Sequence, residues 1–140
     1  MTQPLYRLHG VVVHGRANGR TVGMPTANLR VTEGTALPPF GVYAALAEID
    51  GKEYLGVTNV GLRPTLHDGD AAPTVETLLL DFSGDLYGKA MALTLWLYLR
   101  PTREMHSLRE VERQVERDAA SARAWFAENE KRPAGDGDPA

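Results

Sequence analysis

Apolar residues recur along the first hundred positions in short runs and alternations, broken at intervals by glycine, proline and aspartate. Runs of this length with period-two alternation predict strands rather than helices. Residues 6–13, ending in Val11-Val12-Val13, predict a first strand, and residues 27–31 a short second one. Residues 42–49, 53–60, 74–82 and 89–99 supply four more. Asp50-Gly51 is a hairpin turn signal, and Ser83-Gly84-Asp85 marks another turn. Gly34, Pro38 and Pro39 make residues 32–40 a connection. Gly61-Leu62-Arg63-Pro64-Thr65, followed by Asp68, Gly69, Asp70 and Pro73, reads as a polar loop. In residues 89–99, Met91, Leu93, Leu95, Leu97 and Leu99 share one face, and Ala92, Thr94, Trp96 and Tyr98 the other. Both faces are largely apolar, so one lines an interior and the other is covered. Six successive strands with hairpin-length turns predict an antiparallel barrel.

The pattern then changes period. Ser107-Leu108-Arg109-Glu110 is a capping box and opens a helix. Leu108, Val111, Val115, Ala119, Ala122 and Phe126 recur at helical spacing, and Arg109, Glu112, Arg113, Glu116 and Arg117 cover the rest. The apolar stripe is read as packing against the sheet, with a partner-binding face as the alternative. From Glu128 onward Pro, Gly and Asp dominate, so residues 128–140 are expected to be a disordered tail behind a single domain of residues 1–127.

Composition narrows the class. A chain of 140 residues, 43% hydrophobic and 24% charged, has the size and make-up of one globular domain. Its formal net charge of −3 argues against a dedicated nucleic-acid binder. The absence of cysteine removes disulfides, thiolate metal sites and a cysteine nucleophile. Met-Thr-Gln-Pro-Leu lacks the features of a secretory leader, and no apolar run approaches a membrane span, so a cytoplasmic protein without membrane partners is expected.

The chemistry concentrates between His14 and Leu29, H-G-R-A-N-G-R-T-V-G-M-P-T-A-N-L. Gly15, Gly19 and Gly23 let backbone N–H groups turn toward an anion, and Arg16 and Arg20 add forked donors suited to phosphate. Pro25 closes the stretch against helix formation, which excludes a dinucleotide fingerprint; no Gly-Lys-Ser/Thr follows, which excludes a Walker A loop. Thr26 and Asn28 are two apart, so in an extended chain their oxygens face one way and suit Mg²⁺. The competing reading is a Gly/Pro turn region with solvated arginines.

Glu76 is the other candidate. Alternation places it on one strand face with Leu78 and Leu80, where a carboxylate is either tuned as a general base or paired at the strand end. Thr58 to Thr65, with Asn59 and Arg63, lines a second wall of a nucleotide or ring pocket, or else caps a strand. His9, His14, His67 and His106 have no ligand spacing, which argues against zinc, and Asp81 and Asp85 read as turn formers.

Together these stretches resemble the riboflavin kinase family, including the kinase module of bacterial bifunctional FAD synthetases. The resemblance is carried by G-R-T-V-G-M-P-T-A-N-L (19–29), G-V-Y (41–43), G-V-T-N-V-G-L-R-P-T (56–65), V-E-T-L-L-L-D-F-S-G-D-L-Y-G-K (75–89), L-R (99–100) and the helix from Ser107 to Arg123. It implies a six-stranded antiparallel Greek-key-type β-barrel with a C-terminal α-helix. It implies transfer of the ATP γ-phosphoryl group to the ribityl 5′-hydroxyl of riboflavin, giving FMN and ADP. Thr26 and Asn28 would then hold Mg²⁺ and the phosphates, the loop from Gly15 to Gly23 would arch over the nucleotide, and Glu76 would be the general base. A monomer is expected. The chain departs from the family pattern at Met24, Leu66, Leu78, Pro101-Thr102 and Met105, positions that bear on flavin affinity. The resemblance is to the kinase half alone, so a chain without the adenylyltransferase module, whose conversion stops at FMN, is expected. The alternatives to an enzyme are a non-catalytic flavin- or nucleotide-binding regulatory module of the same fold, and a small barrel used as an interaction domain.

Overall fold

The computed structural model describes residues 3–13, 26–32, 34–64 and 71–129. Six strands, β1 (Tyr6–Val13), β2 (Thr26–Val31), β3 (Gly41–Ile49), β4 (Lys52–Pro64), β5 (Ala71–Leu79) and β6 (Ala90–Arg100), precede one helix, α1 (Leu108–Glu128). All pairings are antiparallel, and the order β1-β2-β5-β4-β3-β6 closes on itself through β1 and β6. The β2–β5 and β3–β6 contacts join strands that are not consecutive, which gives the expected Greek-key character. Asp50 and Gly51 both take positive φ, 54° and 79°, as the tight turn between β3 and β4 requires.

Alternation sorts the side chains into two cores. Leu8, Val12, Ala27, Leu29, Tyr43, Ala45, Val60, Val75, Leu79, Met91, Leu93 and Leu95 fill the barrel. Val42, Ala44, Leu46, Val57 and Leu78 point outward and are covered by Ala122, Phe126, Val115 and Trp125 of α1. β3 is therefore buried on both faces over most of its length. The helical stripe is core packing along much of its length. Its first member, Leu108, is exposed, and Gln114 and Asp118 are buried instead.

Four expectations need correction. The expected polar loop after Val60 is shorter: β4 continues to Pro64 and β5 starts at Ala71, with Pro73 opposite Leu62. The β2 ladder reaches β5 only at Glu76–Leu78, so Pro73 lies where β4 is its one neighbour among the described residues, an edge-like position that tolerates proline. β5 ends at Leu79, because the chain turns through Asp81 at φ 58°; Leu80 follows the strand, buried, with its N–H donating to Leu55 O at 2.8 Å. In β6 the register to β3 shifts between Ala44 and Ala45, where Leu97 and Leu95 are the partners and Trp96 is the extra residue. This bulge turns Leu97 and Leu99 to the helix side while Met91, Leu93 and Leu95 stay inside. Finally, Glu128 ends the helix and Asn129 caps it, its backbone N–H and side-chain amide both donating to Trp125 O, so the expected tail does not begin at 128. The remaining positions, 130–140, lie outside the described residues.

At the helix start the capping expectation holds: Glu110 N–H donates to Ser107 Oγ at 3.1 Å. Two arginine–aspartate pairs then fix α1 to the barrel. Arg100 of β6 reaches Asp118 of the helix, and Arg123 of the helix reaches Asp81 after β5.

Candidate active site

Ala27 and Leu29 of β2 point into the barrel, so Thr26 and Asn28 point out of it, both partly buried. In β5, Val75, Thr77 and Leu79 point inward, and Glu76 and Leu78 outward. In β4, Val60 and Thr58 point inward and Val57 and Asn59 outward. The registers align these outward residues in two rows. Glu76 is the Cα partner of Asn28 on one side and of Asn59 on the other; Leu78 is the partner of Thr26 and of Val57. A carboxylate between two amides thus lies beside a row made of one hydroxyl and two aliphatic side chains. Behind them, Thr58 and Thr77 share a 2.7 Å hydrogen bond between their hydroxyls in the barrel interior.

A cavity of about 200 Å³ opens at the seam between these rows and the N-terminal half of α1. Thr26, Asn59 and Glu76 give it polar atoms, and Val42, Val57, Leu78, Val111 and Val115 give it apolar walls. Apolar walls with a few convergent polar groups are the usual form of a small-molecule site. Arg100 and Asp118 complete the lining. Arg100 donates from Nε to Asp118 Oδ1 at 3.0 Å and from Nη2 to Oδ2 at 2.8 Å, and Gln114 Nε2 donates to Oδ1 at 3.0 Å. Pairing and hydrogen bonding are what let this carboxylate sit buried.

The structure therefore brings together Thr26, Asn28, Asn59 and Glu76. Gly15, Arg16, Gly19, Arg20, Gly23 and Pro25 lie outside the described residues. Arg63 is described by its backbone alone, in β4 opposite Ala72. Sequence reasoning missed Arg100 and Asp118 as cavity residues. The available signal was Asp118 itself, an acid four residues from Gln114 and from Ala122 on the helix face that meets the barrel.

Thr26 and Asn28 offer a hydroxyl and an amide oxygen on the outward face of β2, beside the Glu76 carboxylate. These hard oxygens fit a magnesium ion. No group of three or more His, Asp or Glu residues able to hold a metal occurs among the described residues. No described helix is long and apolar enough to cross a membrane.

Fold and cavity define a β-barrel domain with a ligand-sized site where its helix meets the sheet. Residues 2–126 match the family model described as riboflavin kinase, and the chain belongs to that family. It is 37% identical over 123 residues to the bifunctional riboflavin kinase/FMN adenylyltransferase of Bacillus subtilis, a match over 87% of this chain and 39% of that protein. The chain thus spans well under half the length of that relative. A solved structure from Streptococcus pneumoniae, described as a macrolide-efflux protein, superposes with a TM-score of 0.79 at 34% identity, over 87% of this chain and 39% of that one. Riboflavin kinase from Trypanosoma brucei superposes with a TM-score of 0.62 at 23% identity, over 86% of this chain and 79% of that one, and shares the fold.

Proposed function

We propose that this protein transfers the γ-phosphoryl group of ATP to the 5′-hydroxyl of riboflavin, giving FMN and ADP. The observation that carries the reading is the row Asn28–Glu76–Asn59 beside a cavity of mostly apolar wall. Glu76 takes the proton of the ribityl hydroxyl as that oxygen bonds to the γ-phosphorus, and the bond to the β–γ bridging oxygen breaks to release ADP. Phosphoryl transfer asks the protein for position and charge compensation more than for covalent chemistry. The apolar wall of Val57, Leu78, Val111 and Val115 suits the flavin end of the acceptor, and Asn59 suits its hydroxyls.

Thr26 and Asn28 would hold Mg²⁺, which when bound neutralises phosphate charge. Gly15, Arg16, Gly19, Arg20, Gly23 and Pro25 are assigned to the nucleotide phosphates, and Arg63 to the second wall, on their sequence pattern. A cytoplasmic monomer accords with this role. Incubating the protein with ATP, Mg²⁺ and riboflavin and separating the flavins by chromatography tests the assignment. FMN must form in step with enzyme and ADP; binding of riboflavin without FMN would leave a regulatory module instead.

A further inference from the structure

A second recess, about 290 Å³ in volume, lies beside the first turns of α1. Arg103 from the β6–α1 connection and Glu110, Arg113, Gln114 and Arg117 from the helix line it. Arg113 and Arg117 are exposed and stand one helical turn apart on one face, where like charges repel and disfavour the helix. Neither has an ion-pair partner among the described residues. Arg103 is held by Glu110 alone across the recess, at a long 3.4 Å and with both side chains substantially exposed. Such a contact is worth little and is readily exchanged for a better acceptor. Three guanidinium groups against one carboxylate leave an excess of two positive charges in a chain whose net charge is −3. Planar forked donors at this density match phosphate oxygens.

We propose that this recess binds a dianionic phosphate group, and that its occupancy is felt at the cavity of Glu76 through Gln114. Gln114 lines the recess and donates to Asp118 Oδ1; Asp118 lines the other cavity and clamps Arg100. An anion that draws Arg113 and Arg117 inward bears on Gln114, and through it on the Asp118–Arg100 pair. Phosphate binding here stands apart from the kinase reading; its bearing on catalysis rests on that reading.

The test is a titration of the full chain, labelled with ¹⁵N, against inorganic phosphate and separately against pyrophosphate. It is run at constant ionic strength without nucleotide or divalent metal, on wild type and on Arg113→Gln/Arg117→Gln. The wild type should show saturable shifts at the Gln114 side-chain amide and at the Nε signals of Arg103, Arg113 and Arg117, with either anion. The Arg100 Nε signal, which reports its bond to Asp118, should move with the same saturation curve. The double variant should keep its folded spectrum and bind at least tenfold more weakly. Shifts confined to the Glu76 cavity, equal affinity in the variant, or saturation by pyrophosphate alone would overturn the site. A stationary Arg100 signal would overturn the coupling. None of these readings depends on FMN being formed.

Discussion

Glu76 and Asn28 are Cα partners across the β2–β5 ladder, on the outward face of both strands. The arrangement sets the proposed general base beside a proposed oxygen ligand for the ion that would neutralise phosphate. Replacing Glu76 by Gln keeps shape and removes the base. Turnover of riboflavin should fall by about 10²–10⁴-fold while affinity for ADP–Mg²⁺ stays within a few-fold. FMN formation and calorimetric titration measure the two. Near wild-type kcat would remove Glu76 from the reaction.

Thr26→Ala or Asn28→Ala should weaken ATP binding in the presence of Mg²⁺ by about tenfold each, since each deletes one oxygen from the proposed ion site. Without divalent metal the variants should bind ATP like wild type. Equal losses with and without metal would point to a direct phosphate contact.

The Thr58–Thr77 hydroxyl pair, fully buried, makes a sharper test of packing. Thr58→Val strands one buried hydroxyl and should cost about 1–3 kcal/mol in urea denaturation. Thr58→Val/Thr77→Val removes both hydroxyls and should recover most of that loss. Additive losses in the double variant would mean the hydroxyls do not depend on each other.

Asp118 is buried and answers Arg100, whose side chain is 21% exposed. Asp118→Ala leaves that guanidinium beside apolar walls without its counter-charge. We expect a loss of about 3 kcal/mol by chemical denaturation, the low end for a buried pair because Arg100 retains some water. A loss under 1 kcal/mol would show that α1 is held by its apolar face alone.

The other clamp predicts a pH dependence. Arg123 donates two hydrogen bonds to Asp81, at 2.6 and 3.1 Å, which holds the Asp81 carboxyl below its ordinary value; slight burial opposes this and the Arg123 charge adds to it. A depressed folded-state value means a stabilisation fully present above the ordinary carboxylate pKa and lost as pH falls through the depressed one. The side chains are 44% and 72% exposed, so screening limits the effect to under about 1 kcal/mol. Asp81→Asn should therefore be slightly less stable than wild type near pH 7, and the gap should close as pH falls through the depressed Asp81 value. A gap that stays constant as the pH is lowered would sink the assignment.

Much of the fold was legible because period-two alternation survives in β1 and β2, β3 is a near-continuous apolar run bounded by turn residues, and the helix announces itself at Ser107. Trp96 shows where that reading fails. A bulge moves Leu97 and Leu99 to the other face, and since both faces are apolar nothing in the residue types marks the switch. The ends of β4 and β5 were hidden by Arg63-Pro64 and Pro73, which carry turn chemistry but sit in a ladder. Glu76 was legible as an acid among leucines. Its position between Asn28 and Asn59 was not, because it depends on pairing β5 with β2 rather than with β4 alone. Arg100 and Asp118 lie on separate elements, and neither is informative without the other.

That non-consecutive pairing also fixes when the site can come into being. Asn28 and Glu76 belong to strands separated in the chain by β3 and β4, so bringing them together closes a long loop, and such long-range pairings form slowly. The β3–β4–β5 meander can assemble from its own hairpins and already contains Glu76 and Asn59, while Thr26 and Asn28 arrive only when β2 docks against β5. A refolding chain is therefore expected to acquire the proposed base before the proposed ion ligands, with recovery of activity keeping time with barrel closure rather than with collapse of the core.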